Sequence, residues 1–303
     1  MILNVNKIGM NFGKIAVAAG VLLYLGACTP QGSQEMTEES VEKTDSPADE
    51  PKSMGEEVNR KVFYTIPSPL ELTSIIKKAG AKYDKSVLNV TDKASNYVTQ
   101  KELALNLGVY CADLSYASIF EQRQATLHYF KAAKQLADNL GITSAFGKST
   151  VTRIGNNLDN KDSLVAIISD SYWETDAYLK ENKQSSISGL VIAGGWLEGM
   201  YVSSKLAEKT ENNTEIVSRI GEQKLTLDNL IAMLSSYKDP EVVEVVADLY
   251  ALKEAFDPVE IIYNRQAPTV DKEAKVTTLN TTSTINISDA QLAVISERID
   301  GIR

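Results

Sequence analysis

The stretch from Ile187 to Val202 constrains the fold more than any other part of this 303-residue chain. Ile187, Leu190, Val191, Ile192, Ala193, Trp196, Leu197, Met200, Tyr201 and Val202 leave a helix over this stretch no polar face. A helix that is apolar all round has to be buried on every side. Gly194, Gly195 and Gly199 fall within it, each at a cost of ~1 kcal/mol in helix propensity relative to Ala. Three glycines so placed make sense where another backbone, or a ligand, comes close. Glu198 stands in their midst. A buried carboxylate has to be paired, hydrogen-bonded or protonated. Glu198 is therefore a ligand-binding or acid–base group, half of a structural ion pair, or a residue at a helix end that reaches solvent.

The rest of the chain supplies further helices. Ser68-Pro69-Leu70-Glu71 carries an N-cap, a proline at N1 and a glutamate at N3, a combination that starts a helix, and Gly80 stops it. Leu103, Leu107, Tyr110, Leu114 and Ala117 recur at helical spacing in a long helix from about Asn96 to Phe120. A second runs from Glu121 to Asn139, with Gly141 as its cap, and a shorter one covers 144–158. Asp159 or Asn160 caps a helix to Glu181, and Ser185 or Ser186 opens the next, to Glu208. Helices near 213–221 and 226–237 follow. Asp239-Pro240-Glu241 then starts another that ends near Phe256. Beyond Pro258 the β-branched runs 259–263, 275–279 and 284–287 predict two short strands or an extended wrap. Ser288 and Gln291 then form a capping box for a last helix to Arg303. The fold class is all-α: stacked antiparallel helical hairpins over 62–257, about nine or ten helices in total. Residues 258–303 add a short extended segment and a C-terminal helix packed on that domain. Leu107-Gly108-Val109-Tyr110 echoes Glu198-Gly199-Met200-Tyr201 on two long helices. The pairing resembles tetratricopeptide-like helical hairpins, although the roughly 34-residue period of that family is absent.

The amino-terminal region has a different character. Lys7 and Lys14 precede an apolar run from Ile15 to Leu25, with no acid before Glu35. A basic start followed by a short apolar core reads as a secretory signal over 1–27, because a membrane span needs about 20 apolar residues. It closes on Leu25-Gly26-Ala27-Cys28, which resembles the lipobox of bacterial lipoproteins. That resemblance implies diacylglyceration of the Cys28 thiol, cleavage before it and acylation of the new amino terminus by fatty acids such as palmitate. Several chains matter, since one acyl chain alone anchors only marginally. Thr29 follows the cysteine where an Asp would resemble an inner-membrane retention signal, so the expected location is the outer membrane. The periplasmic face is favoured over the cell surface because no acidic cluster directly follows Cys28. Residues 29–61 hold nine acids and four bases with almost no large apolar side chain, and read as an acidic disordered tether.

Composition removes several function classes. Of 31 basic side chains two lie in the leader, so the mature chain carries 29 against 40 acids, a net charge of −11. That argues against nucleic acid as a partner. One histidine, His128, and one cysteine beyond Cys28, Cys111, cannot furnish the usual nitrogen and sulfur ligands of a transition metal. Nor can they furnish a Ser-His-Asp site. No cofactor, metal site or catalytic residue is expected, and Cys111, set among apolar neighbours, reads as a buried inert thiol. The candidate ligand-binding residues are Glu198, Trp196, Tyr201 and Asp113. For Asp113 the competing reading is a solvated face, since Glu102 and Asn106 share its helical stripe. These features fit a membrane-anchored, non-enzymatic helical lipoprotein with a protein partner in the envelope. The alternatives are a small-molecule binder with a glycine-lined pocket around Glu198, and a carboxylate-dependent enzyme.

Overall fold

A computed structural model describes residues 66–142, 147–264, 266–271, 276–278 and 282–303. The expected signal sequence over 1–27, Cys28 and the expected acidic tether to residue 61 lie outside the described residues. Nine α-helices are found among those described: α1 (Pro69–Lys78), α2 (Gln100–Ile119), α3 (Arg123–Asn139), α4 (Lys148–Asn156), α5 (Lys161–Glu181), α6 (Ser185–Lys209), α7 (Thr214–Ser235), α8 (Pro240–Phe256) and α9 (Asp289–Ile302). Two 3₁₀ turns, Lys85–Val87 and Thr91–Asn96, carry the chain from α1 to α2.

Local chemistry explains where these helices start and stop. Ser68 and Glu71 form a reciprocal capping box on α1, as do Ser288 and Gln291 on α9. Thr99 and Glu102 do the same for α2, so Glu102 is a capping residue. Asn160 caps α5 and Asp239 caps α8. Gly80 and Gly141 adopt positive φ just past the ends of α1 and α3.

The core is organised around α6, which packs against α1, α2, α5, α7 and α9. Its closest partner is α2. A Cβ on Gly108 would lie 2.0 Å from the Val191 carbonyl oxygen, and one on Gly194 would lie 2.0 Å from that of Leu105. The two helices therefore cross backbone to backbone, at a separation only glycine permits. Gly195 and Gly199 make room instead for Pro69 and Leu72 of α1. The glycines of α6 thus admit protein atoms. The Leu107–Tyr110 and Glu198–Tyr201 echo is not how the two helices meet, since Gly108 lies against Gly195 while Gly199 faces α1.

Two expectations need correction. The helices placed at 213–221 and 226–237 are one continuous helix, α7. Gly221 does not interrupt it. A Cβ there would sit 2.5 Å from Cγ2 of Ile285, so the residue is small to let the carboxy-terminal strands approach. The tail holds four short strands rather than two: β1 (Glu260–Asn264), β2 (Thr269–Asp271), β3 (Val276–Thr278) and β4 (Thr282–Asn286). β1 pairs antiparallel with β4, with Ile261 opposite Ile285, and β2 pairs antiparallel with β3. The chain then enters α9, which packs on α8 and α6. Lys205 of α6 donates to Asp300 at 2.8 Å, and Ser296 donates to Glu208 at 2.9 Å.

Candidate functional site

Three of the four candidate residues come together, with two partners that the sequence did not point to. Glu198 projects from the middle of α6 and is wholly buried. Arg303, directly after α9, reaches it with a two-pronged contact: Nε donates to Oε2 at 2.7 Å and an Nη donates to Oε1 at 2.9 Å. Such fork-on-carboxylate pairing is among the stronger polar interactions available to a protein. The same guanidinium lies 3.7 Å from the centroid of the Tyr201 ring, a cation–π contact. Tyr201 thus helps to hold the cation that neutralises Glu198.

Asp113 sits on the neighbouring face of α2 and is also wholly buried. The solvated face suggested by its stripe with Glu102 and Asn106 is therefore incorrect for Asp113. The side of α2 that carries it is covered by the segment between α1 and α2, not by water. Asn89 provides the cover. Its backbone N–H donates to Asp113 Oδ2 at 3.1 Å. Its side-chain amide donates to that same oxygen at 3.0 Å and to Glu198 Oε1 at 3.1 Å. One amide thus bridges two acids. Asp113 Oδ1 is buried and has no hydrogen-bond partner among the described residues.

Trp196 stands apart from this cluster. It is core, with its indole N–H donating to Gln223 on α7 at 3.2 Å. Cys111 is buried and unpaired, and burial pushes its thiol up to about 12. His128 is exposed on α3.

The electrostatics follow from burial. Two carboxyls face one guanidinium, so full ionisation would leave an uncompensated negative charge away from water. Burial pushes Asp113 well above the carboxylate range, and the neighbouring Glu198 pushes it further. Glu198 is also raised by burial. Against that act the direct contacts of Arg303, and then of Asn89. Of the two, Asp113 holds the proton, because Arg303 bonds Glu198 directly while Asp113 has only neutral donors in contact.

The 84–91 segment owes its position to side chains that reach its backbone. Tyr110 donates to the Val90 carbonyl at 2.7 Å and Tyr129 donates to that of Asn89 at 2.7 Å. Tyr116 accepts from the Asp84 N–H at 2.8 Å. Lys209 of α6 pairs with Asp84, whose carboxyl is pulled down to about 2 by that contact and by Ser86. So anchored, the segment forms one wall of a groove of about 1080 Å³ whose other wall is the start of α3. Tyr83, Lys85, Ser86, Asn89 and Thr91 line one side, and Glu121, Gln122, Arg123, Gln124, His128 and Tyr129 the other. A second depression of about 510 Å³ shares Thr91 and His128 with it and continues along α3 past Lys131 to Gln135. Leu88, Val90 and Ala125 add apolar surface to the groove, so its lining mixes apolar side chains with amides, hydroxyls and charges of both signs.

The chain matches no family model, no curated protein and no solved structure.

What the site can do is bounded by its own chemistry. Among the described residues no group of three His, Cys, Asp or Glu side chains is placed to hold a metal ion. No helix among them is long and apolar enough to cross a membrane. The acid pair is enclosed, with its hydrogen bonds directed at protein groups, whereas the groove is open. Asn89 belongs to both. The apolar context of α6 points to Glu198, while Asp113 and Tyr201 stand in the sequence only as candidates, with nothing there to bring them together with it. Sequence reasoning missed Asn89 and Arg303, whose local surroundings carry no signal: one sits in an irregular segment, the other after a helix end.

Proposed function

We propose that this chain is a lipid-anchored protein of the bacterial cell envelope whose helical body is a non-enzymatic domain that binds or scaffolds a protein partner. The lipobox-like Leu25-Gly26-Ala27-Cys28 supports the anchor. The observation that carries the non-enzymatic reading is the closure of the Glu198 site. The glycines around it are occupied by the α2 backbone and α1 side chains, and the carboxylate itself is held by Arg303 and Asn89. A reacting group has to be reachable by its substrate, and Glu198 is spent on holding helices together. The groove beside Asn89 is an accessible concave surface, and its mixture of apolar side chains, amides, hydroxyls and charges suits a protein surface of similarly mixed character.

Two experiments test the two halves. Cys28→Ala should move the protein from the membrane fraction to the soluble fraction and remove the lipid mass from the mature amino terminus. A variant that stays membrane-bound, together with a wild type lacking lipid, would refute the anchor. Crosslinking from a photoreactive residue at position 124, in the groove, should capture one protein reproducibly from intact cells. The same probe at position 151, exposed on α4, should not. Equal yields at both positions would refute the groove as the partner surface.

A further inference from the structure

The geometry points to a proton-dependent latch: the Asp113–Glu198 pair carries one proton, on Asp113, and that proton keeps the 84–91 segment closed over them as the groove wall. The inference deepens the partner-binding reading by naming what controls the groove, but its test involves no partner.

Asp113 and Glu198 both have no exposure, and one amide nitrogen lies 3.0 Å from the first and 3.1 Å from the second. A single guanidinium compensates them, and it is committed to Glu198. The titratable and charged groups facing the pair from every packed element are few. Tyr110 lies on α2 itself, Tyr83 precedes the 84–91 segment, Tyr129 comes from α3, and Arg303 follows α9. Burial raises all three phenols, so they stay neutral wherever proteins are ordinarily folded. Among the described residues no second cation contacts Asp113 to accept the charge it would carry when ionised. A proton is the compensating species that fits.

Like charges this close in a poorly solvated site cannot both ionise without a large penalty. The cheapest relief is to let water reach Asp113. On one side Asp113 is backed by α2 and α6, which interlock at Gly108 and Gly194 with no room to part. On the other side it is covered by Asn89, in the irregular link between two short 3₁₀ turns. Segments with few backbone hydrogen bonds open at lower cost than core helices. The wall formed by residues 84–91 is thus the part that lifts, and the groove changes shape with it.

The sign follows from linkage. The unfolded chain loses the Asp113 proton near pH ~4, whereas the folded chain keeps it. The Asp113 contribution to stability and closure is therefore fully present below that pH and is lost as pH rises towards and through the raised folded value.

The test is amide hydrogen exchange on the full chain at pH 5 and pH 8, corrected for intrinsic rates. In the wild type, protection of residues 84–96 should fall by roughly tenfold or more between the two, the equivalent of one pKa unit of linkage. Protection in the centre of α6 should change little. Asp113→Asn keeps the shape and supplies a neutral group, and should abolish the difference. Unchanged protection of 84–96 in the wild type, or an undiminished pH effect in Asp113→Asn, would overturn the latch. If that variant fails to fold, carbon-13 titration of the wild-type carboxyls decides the matter. One carboxyl should remain protonated above pH 6, and complete ionisation of every carboxyl by pH 6 would refute the proton on Asp113.

Discussion

Replacing Glu198 by Gln tests whether the acid cluster is a structural fastener. The substitution keeps the volume and removes one charge. Glu198 accepts three hydrogen bonds from neighbouring donors: Arg303 Nε at Oε2, and Arg303 Nη and Asn89 Nδ2 at Oε1. A glutamine has one acceptor oxygen and one donor nitrogen. With its oxygen at the Oε1 position it keeps two of the three and points N–H at N–H against Arg303 Nε. Turned the other way it keeps one and opposes two. At best the variant strands one charged donor and loses the ionic part of the pair. Breaking a buried pair from one side costs ~3–5 kcal/mol. Arg303 retains 21 % side-chain exposure and can swing towards water, which places the cost near the lower end, about 3 kcal/mol. In a body of this size that is a fall of roughly 6–12 °C in melting temperature. Thermal and denaturant melts of the full chain measure it. A double-mutant cycle with Arg303→Met should return a coupling of at least ~1.5 kcal/mol between the two positions, since residues in direct ionic contact are non-additive. A Glu198→Gln melt within ~0.5 kcal/mol of wild type would refute the fastener, because that is the range of substitutions that touch nothing.

Further outcomes follow from the same packing. Gly194→Ala should destabilise by at least ~2 kcal/mol, the overpacking cost, even though helix propensity alone would make it stabilising by ~1 kcal/mol. Its Cβ would meet the Leu105 backbone oxygen at 2.0 Å, and chemical denaturation reads the sign directly. The contrasting change is Gly155→Ala on α4, where a Cβ meets nothing within 4 Å; it should stabilise by ~0.4–1 kcal/mol. Cys111, buried with its thiol pushed up to about 12, should resist a thiol-specific disulfide reagent at pH 8 in the native protein and react at once in denaturant. Rapid native labelling would show that its pocket opens.

The sequence by itself determined most of the helices and several of their caps, because those depend on neighbours a few residues away, whereas the continuity of α7 across Gly221 and the pairing of four short strands did not follow from it. Ser68 with Glu71 and Ser288 with Gln291 cap helices through contacts three residues apart, and such signals are legible without a fold. The buried character of α6 was legible for the same reason, since its apolar circumference is a property of one helix. What the sequence could not determine is who fills the space its glycines leave. Gly108 and Gly194 lie far apart in the chain and meet only when α2 and α6 cross. The role of Asp113 failed on the same ground. Periodicity shows that Glu102, Asn106 and Asp113 share a stripe, but whether solvent or another segment covers that stripe is set by tertiary packing. Asn89 and Arg303 reach Glu198 across 109 and 105 residues of chain. Their pairing arises because burial of two carboxyls demands a donor and a cation at one point in space, and only the folded arrangement brings those residues there.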